Sequence, residues 1–311
     1  MKVYNNITEL IGNTPLLRLN GFKKAENLQS DIFAKLEMLS AFGSLKDRTA
    51  FGMIIDAEKR GILKPGGTII EFSAGNTGIS LAYLAITRGY KLILTMVENA
   101  SEEMKTLFRI LGAEIVLTPL ADGAKGSLQR AKEISENIPG SFFISQHTNL
   151  ANVQAHYDTT GPEIWNDMDG QIDYLVLGIG AAGTLSGAGK YLKEKNPNIK
   201  IVAVEPAESA VIAGGAPGLH GIRGNGTGTI PPNLNRDLID ELATVSTDEA
   251  VEYQQKIITT EGLSAGTSSG AVLAVAIRIA KREAGKNIVI IFADNGERYL
   301  SLLASRLPTK G

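Results

Sequence analysis

Short apolar runs rich in β-branched residues alternate with runs of helical periodicity along almost the whole chain, and that rhythm leaves few architectures open. Residues 31–36, 68–72, 91–96 and 114–117 read as strands. Between them, 46–60, 79–88 and 102–111 place apolar side chains three and four residues apart, as helices do. Gly61, Gly89 and Gly112 follow these helices, where a left-handed residue closes the last turn. A further helix is expected over 126–137 and a short strand over 142–145. The second half repeats the pattern, with strands at 174–178, 200–205 and 287–292 and helices at 185–195, 251–261 and 271–284. Strands this apolar, separated by helices, are buried on both faces. The expected fold class is α/β, with mostly parallel sheets and helices on both faces. The segment 214–232 breaks the rhythm: it is rich in Gly and Pro and has no period, which marks a functional loop.

Composition removes several classes of function. The formal net charge is -2 and no long basic run exists, which argues against nucleic-acid binding. With 0 Cys there are no disulfides, thiolate metal sites or cysteine nucleophile. His147, His156 and His220 are scattered without metal-ligand spacing, so no metal is expected. The first six residues lack the apolar core of a signal peptide. Nor is there an uninterrupted apolar span of roughly 20 residues, the length that crosses a bilayer. The expectation is a cytoplasmic protein.

Four stretches carry the chemistry. Ser73-Ala74-Gly75-Asn76-Thr77-Gly78 joins a strand to a helix, where converging N–H groups and the helix dipole favour an anion. It is a candidate carboxylate or phosphate clamp, although many α/β proteins carry such a turn for steric reasons alone. Lys46 follows Gly43-Ser44-Leu45 at a helix start, against the macrodipole. Either it is a solvated surface lysine, or its amine is depressed in pKa and ready for Schiff-base chemistry. Gly180-Ala181-Ala182-Gly183-Thr184 ends a strand and opens a helix, which suits a phosphate. A dinucleotide would want an acidic residue about 20 positions on, and Glu205 matches that only loosely. In Gly266-Thr267-Ser268-Ser269-Gly270, Ser268 or Ser269 is either the helix N-cap, worth about 1 kcal/mol, or a hydroxyl bonded to a cofactor ring nitrogen. Asp47, Arg48, Glu297 and Arg298 read as ion-pair or helix-end groups.

Together these pieces resemble the cysteine synthase (O-acetylserine sulfhydrylase) and cystathionine β-synthase group of fold type II pyridoxal-phosphate enzymes. The resemblance runs from Ile7-Thr8-Glu9-Leu10-Ile11-Gly12-Asn13-Thr14-Pro15-Leu16 to Gly296-Glu297-Arg298-Tyr299-Leu300-Ser301. Lys35-Leu36-Glu37, Thr159-Thr160-Gly161-Pro162-Glu163-Ile164 and Ala203-Val204-Glu205-Pro206 lie in register between them. It implies a two-lobed fold like that of the tryptophan synthase β subunit. Residues 1–147 would form an N-terminal lobe whose first strands join the other lobe's sheet, and 148–311 a C-terminal lobe.

The same resemblance assigns roles. Lys46 matches the lysine that holds pyridoxal 5′-phosphate as an internal aldimine, and Asn76 the asparagine at the cofactor's 3′ oxygen. Gly180, Ala181, Ala182, Gly183 and Thr184 match the phosphate loop, and Ser268 the serine at the pyridine nitrogen. Ser73, Ala74, Gly75, Thr77 and Gln146 match the clamp on the substrate carboxylate, with Gly224 and Thr227 in the loop facing the substrate. A neutral hydroxyl at the ring nitrogen limits carbanion build-up and favours β-elimination over transamination. The implied reaction is β-replacement on O-acetylserine or O-phosphoserine with sulfide, through an α-aminoacrylate, to give L-cysteine. The same intermediate serves a cysteine lyase (desulfhydrase) releasing hydrogen sulfide, a cystathionine β-synthase-like reaction, or another β-substituted alanine synthase. A homodimer and a complex with the C-terminal tail of serine acetyltransferase also follow from the resemblance, whereas no added regulatory domain is expected.

The chain departs from the commonest pattern at several places. Ser40-Ala41 stands for Asn-Pro, Ala74 for a hydroxyl residue, and Ala181-Ala182 for Thr-Gly. Gly224-Asn225-Gly226-Thr227-Gly228-Thr229 is more polar than usual, and Ala293-Asp294-Asn295 replaces Pro-Ser-Ser. Asp294 either points inward or is solvated, and the solvated pose is expected. These departures leave Lys46, Asn76 and Ser268 in place and bear on the leaving group and the second nucleophile. Two other classes are a binding or regulatory protein that kept the fold without turnover, and a nicotinamide-dependent dehydrogenase. The second gives Lys46 and Asn76 no role.

Overall fold

The computed structural model describes residue 1 and residues 3–300; Ser301 of the C-terminal motif and the rest of 301–311 lie outside the described residues. Ten strands and ten α-helices follow one another in the order β1 (Leu16–Arg18), α1 (Asn20–Ala25), β2 (Asp31–Leu36), α2 (Lys46–Lys59), β3 (Thr68–Phe72), α3 (Asn76–Arg88), β4 (Lys91–Val97), α4 (Glu102–Ile110), β5 (Glu114–Thr118), α5 (Gly123–Asn137), β6 (Phe142–Phe143), α6 (Leu150–Ala155), α7 (Gly161–Asp167), β7 (Tyr174–Gly178), α8 (Gly183–Lys195), β8 (Lys200–Pro206), β9 (Glu241–Val245), α9 (Thr247–Glu261), α10 (Thr267–Arg282) and β10 (Asn287–Phe292) among the described residues. They build two sheets, β1-β2-β10-β7-β8-β9 and β5-β4-β3-β6. Every pairing is parallel except the edge pair β1–β2. The first two strands therefore join the sheet formed by the last four.

Burial explains the apolar strands. Ile288, Val289, Ile290 and Phe292 of β10 are wholly buried, as are Leu175 and Val176 of β7 beside them. One face of the large sheet packs under α9 and α10 through Ile32, Val176, Val272 and Ile290. The other packs on α7 and α8 through Phe33, Ile164, Leu175, Leu185 and Val289. Hydrophobic burial of about 25 cal/mol per Å² is the main favourable term in such layers.

Several helices begin earlier than their apolar period suggests. α3 starts at Asn76 rather than 79, α8 at Gly183 rather than 185, α9 at Thr247 rather than 251 and α10 at Thr267 rather than 271. In each the first turn is polar or glycine-rich, because its N–H groups face a loop or cavity and only later turns meet the core. The two edge strands β1 and β9 escape a search for apolar runs: both lack a continuous buried face. β6 stops at Phe143 instead of 145, since Ser145 adopts φ +52.

A buried ionic knot fixes α2 to this frame. Arg48, 3% exposed, donates through Nε and Nη2 to Glu37 at 2.8 and 2.9 Å and through Nη1 and Nη2 to Glu163, both at 2.6 Å. Lys35 Nζ reaches Glu163 at 2.9 Å and Asp167 at 3.1 Å. The paired cations hold the Glu163 carboxyl down to a pKa of about 2 despite its desolvation. Glu37 is fully buried, so removing Arg48 strands a carboxylate without its partner. An Arg48→Met variant should lose about 3–5 kcal/mol of stability in urea unfolding, and a loss below about 1 kcal/mol would show that the knot is not holding α2.

Candidate active site

The parallel register brings three chain exits to one edge of the large sheet. Phe292 lies opposite Leu36, and Ile290 opposite Val176, so the residues after β2, β10 and β7 emerge together. Ligands of open α/β sheets bind at this carboxyl edge. A cavity opens there, lined by Lys46, Asn76, the 180–184 turn, Asn225, Ser268 and Asp294 among others.

Lys46 is the first residue of α2, and the turn before it is tied to the end of β10 by the Leu45 N–H donating to Ala293 O at 2.8 Å. Among the described residues its amine has no hydrogen-bond partner. Burial depresses its pKa below the usual lysine value, and the charge of Asp294 only partly opposes this. The positive end of α2 acts in the same direction. A lysine in this setting is an amine, not an ammonium, for a larger part of the time, and that is the nucleophilic form.

Opposite Lys46, the 180–184 turn wraps the N-terminus of α8. Ala182 is the N-cap and sits left-handed at φ +61. A Cβ on Gly180 would meet Gly224 O at 2.1 Å, and one on Gly183 would meet Asn152 Oδ1 at 2.0 Å. Glycine at both positions lets the turn pack against its neighbours at the cavity wall, at a helix N-terminus where backbone N–H groups favour an anion. Asn225 Nδ2 is buried beside this turn and has no hydrogen-bond acceptor among the described residues. Ser268 lies in the first turn of α10, whose N-cap is Gly266, so it is not the capping residue. Its hydroxyl also has no hydrogen bond among the described residues. The cavity thus offers an unpartnered amine, an anion cradle with an orphaned donor, and a free hydroxyl.

A sequence model of the family described as pyridoxal-phosphate dependent enzyme matches residues 7–294. The chain belongs to this family. A cysteine synthase of Staphylococcus aureus is 44% identical over 302 residues, spanning 96% of each chain. The crystal structure of a cysteine synthase from Entamoeba histolytica superposes with a TM-score of 0.94 at 38% identity, covering 100% of this chain and 93% of that one. A hydrogen sulfide-producing enzyme from Fusobacterium nucleatum superposes with a TM-score of 0.90 at 38% identity, covering 96% of this chain and 100% of that one.

Pyridoxal phosphate, the cofactor of the family, fits what the cavity leaves unsatisfied. The 180–184 turn and the Asn225 Nδ2 donor, the Lys46 amine and the Ser268 hydroxyl line one cavity and are groups that a phosphate, a carbonyl and a ring nitrogen would take up. Asn76 lines the same cavity, but its amide is already engaged. Its Nδ2 donates to Asp294 at 2.5 Å and to Tyr299 Oη at 3.2 Å, and Arg298 donates to its Oδ1. Two expectations change here. Asp294 is not solvated: it is 3% exposed, accepts from Tyr299 as well, and lines the cavity. Arg298 is not a simple helix-end group, since it grips Asn76 and the carbonyl of Phe42.

The rest of the 73–78 stretch lies outside the cavity wall. Ser73 Oγ accepts the Gly78 N–H at 2.9 Å, and Thr77 Oγ1 donates to Gln146 Oε1 at 2.8 Å, all three being buried. Ala74 is exposed, and a Cβ on Gly75 would meet nothing within 4 Å, so the tip of the turn is open. The 214–232 loop brings Gly224 to the cavity but not Thr227, which is exposed and donates to Thr229 O at 3.2 Å. Asn225 and Arg223 line the cavity and were missed; their place in that aperiodic loop was the available signal. Glu205 accepts the N–H groups of Ile212 and Ala213 and does not face the cavity.

Burial disfavours the charged form of two histidines, His147 and His156. His156 is buried among Thr49, Thr160 and Thr184. Burial and the Lys46 charge push His147 down to a pKa of about 4. Among the described residues no group of three or more His, Asp or Glu is placed to hold a metal ion, and no helix is long and apolar enough to cross a membrane.

Beneath the open turn lies Glu71, 1% exposed, whose pKa burial raises to about 8. Between the unfolded value of about 4.5 and this one, the folded chain keeps a proton that the unfolded chain has released. Its contribution to stability is therefore complete at low pH and is lost as pH rises towards 8, by up to ~1.4 kcal/mol per pH unit. A Glu71→Gln variant should show a flatter decline of the denaturation midpoint from pH 5 to pH 8 than the parent. Parallel profiles would mean that Glu71 is already ionised in the fold.

Proposed function

We propose that this protein is a cysteine synthase: it replaces the β-substituent of an activated L-serine, O-acetylserine or O-phosphoserine, with sulfide to give L-cysteine. The observation that carries the reading is the unpartnered, pKa-depressed amine of Lys46 facing the glycine-rich cradle across one cavity. When bound, pyridoxal phosphate supplies a carbonyl for amines and an electron-poor ring that draws charge from the substrate's Cα.

The chain's own residues do the rest. The 180–184 turn and Asn225 would hold the phosphate end and Ser268 would meet the ring nitrogen, while Asn76 would meet the ring's oxygen edge by exchanging one of its bonds to Asp294, Tyr299 or Arg298. Ser73, Thr77 and Gln146, with the open backbone at Ala74 and Gly75, hold the substrate carboxylate. Lys46 Nζ, at the wall of the same cavity, takes the proton of the substrate's Cα as the general base. Acetate or phosphate then leaves, and hydrosulfide adds at Cβ with return of the proton from Lys46. The four-stranded lobe moving onto the carboxylate would exclude water from the reaction.

A second reading has one observation in its favour, the likeness to the F. nucleatum hydrogen sulfide-producing enzyme. The same residues run on cysteine would release sulfide. The lobes are read as 1–147 and 148–311, the assembly as a homodimer, and the location as the cytoplasm. The family resemblance supports these readings, together with a complex with the tail of serine acetyltransferase.

Assays with O-acetylserine, O-phosphoserine, serine and cysteine separate the readings. Cysteine should form from one of the activated serines plus sulfide, and a Lys46→Ala variant should lose at least ~10³-fold in turnover. Release of sulfide from cysteine with no synthesis from any activated serine would overturn the proposal in favour of the second reading.

A further inference from the structure

Glu71 has no part in the chemistry above, yet its place in the four-stranded sheet is unusual. β6 pairs with β3 through Phe142 and Phe143, and the Ile144 N–H continues the ladder to Ile70 O at 3.0 Å. In a parallel ladder the next bond would run from Gln146 N–H to Phe72 O. It does not form. Ser145 turns left-handed at φ +52, and the Gln146 N–H donates to Glu71 Oε2 at 3.4 Å. The Phe72 and Ser145 backbone and the Gln146 side chain lie close enough to the same carboxyl to favour its charged form against burial.

A non-glycine residue in the left-handed region persists only where its surroundings impose it. Here the imposing group is a side chain that substitutes for a backbone carbonyl. Gln146 is then pinned on every side. Its Oε1 accepts from Thr77 Oγ1 at 2.8 Å, and its carbonyl accepts from Asn152 and Asn233, both at 2.9 Å. Without the Glu71 carboxyl, β6 would run on along β3 and Gln146 would lose its approach to Thr77.

We propose that Glu71 is a positioning residue for recognition of the α-amino acid: by taking the Gln146 N–H out of the β-ladder, it fixes the Gln146 side chain beside Thr77, facing the substrate carboxylate. This rests on the assignment of Thr77 and Gln146 to the carboxylate clamp. Glu71 touches neither substrate nor cofactor.

The test compares the holoenzyme with Glu71→Gln, Glu71→Met and Glu71→Asp. Glutamine keeps a carbonyl oxygen at the same reach, methionine keeps the volume without acceptors, and aspartate keeps the carboxylate but withdraws it. Equilibrium binding of O-acetylserine, O-phosphoserine, serine and cysteine is read from the visible absorbance of the bound cofactor. KM and kcat are measured alongside. Methionine and aspartate should raise the dissociation constant and KM of the amino acid about tenfold or more. Glutamine should stay within about threefold of the parent, and cofactor content and the KM for sulfide should not move. If the methionine variant does not fold, the contrast between aspartate and glutamine carries the same prediction. Parent-like amino-acid binding in a folded methionine or aspartate variant overturns the proposal, as does a loss confined to kcat or to sulfide. A parent protein that binds none of the four amino acids overturns both this proposal and the function on which it rests.

Discussion

Everything at the site depends on the parallel ladder in which β10 is bonded to β2 on one side and β7 on the other. Parallel pairing forces all three strands to exit at the same edge, so three loops distant in sequence must share one space. The loop after β2 leads into Lys46, that after β7 becomes the phosphate cradle, and that after β10 supplies Asp294. Reversing one of these strands would send one of the three to the far side of the sheet. The ionic knot around Arg48 then fixes the rotation of α2, which decides where the Lys46 amine points.

The electrostatics follow from this convergence. The N-termini of α2, α8 and α10 lie around one cavity, so positive helix ends accumulate where an anion would bind. The same field and the same burial disfavour additional cations, which is why the Lys46 amine is depressed and His147 stays neutral. Asp294 is the opposing charge. Burial lifts its pKa while Tyr299 and Asn76 hydrogen-bond it, and one of its oxygens, Oδ1, has no partner among the described residues. The site therefore holds a neutral-leaning amine and a strained carboxyl in one low-dielectric space, an arrangement suited to moving protons.

Most of the fold was legible in the sequence because buried parallel strands have no polar face, and runs such as 68–72 and 287–292 announce themselves. The first turns of α3, α8 and α10 were legible as chemistry rather than as helix, since glycine and hydroxyl residues there break the apolar period. Asp294 was misread because its burial depends on partners that no local pattern links to it. Gly266 leaves the space that its carboxyl fills and Asn76 arrives from 218 positions away, and of its partners only Tyr299 is a near neighbour in sequence. Asn225 and Arg223 were missed for a related reason: a loop without periodicity tells where function lies but not which side chains turn inward. Glu71 sat in an apolar strand and read as a strand residue, whereas its partner is the backbone of a segment 75 positions away.

The claim on which the account turns is that Lys46, out of all the lysines, is the amine prepared for the cofactor. Loading the protein with one equivalent of pyridoxal phosphate, reducing with borohydride, and mapping the modified peptide by mass spectrometry tests it directly. A single pyridoxyl group on Lys46 is the predicted result. Label spread over surface lysines, with Lys46 unmodified, would contradict the account.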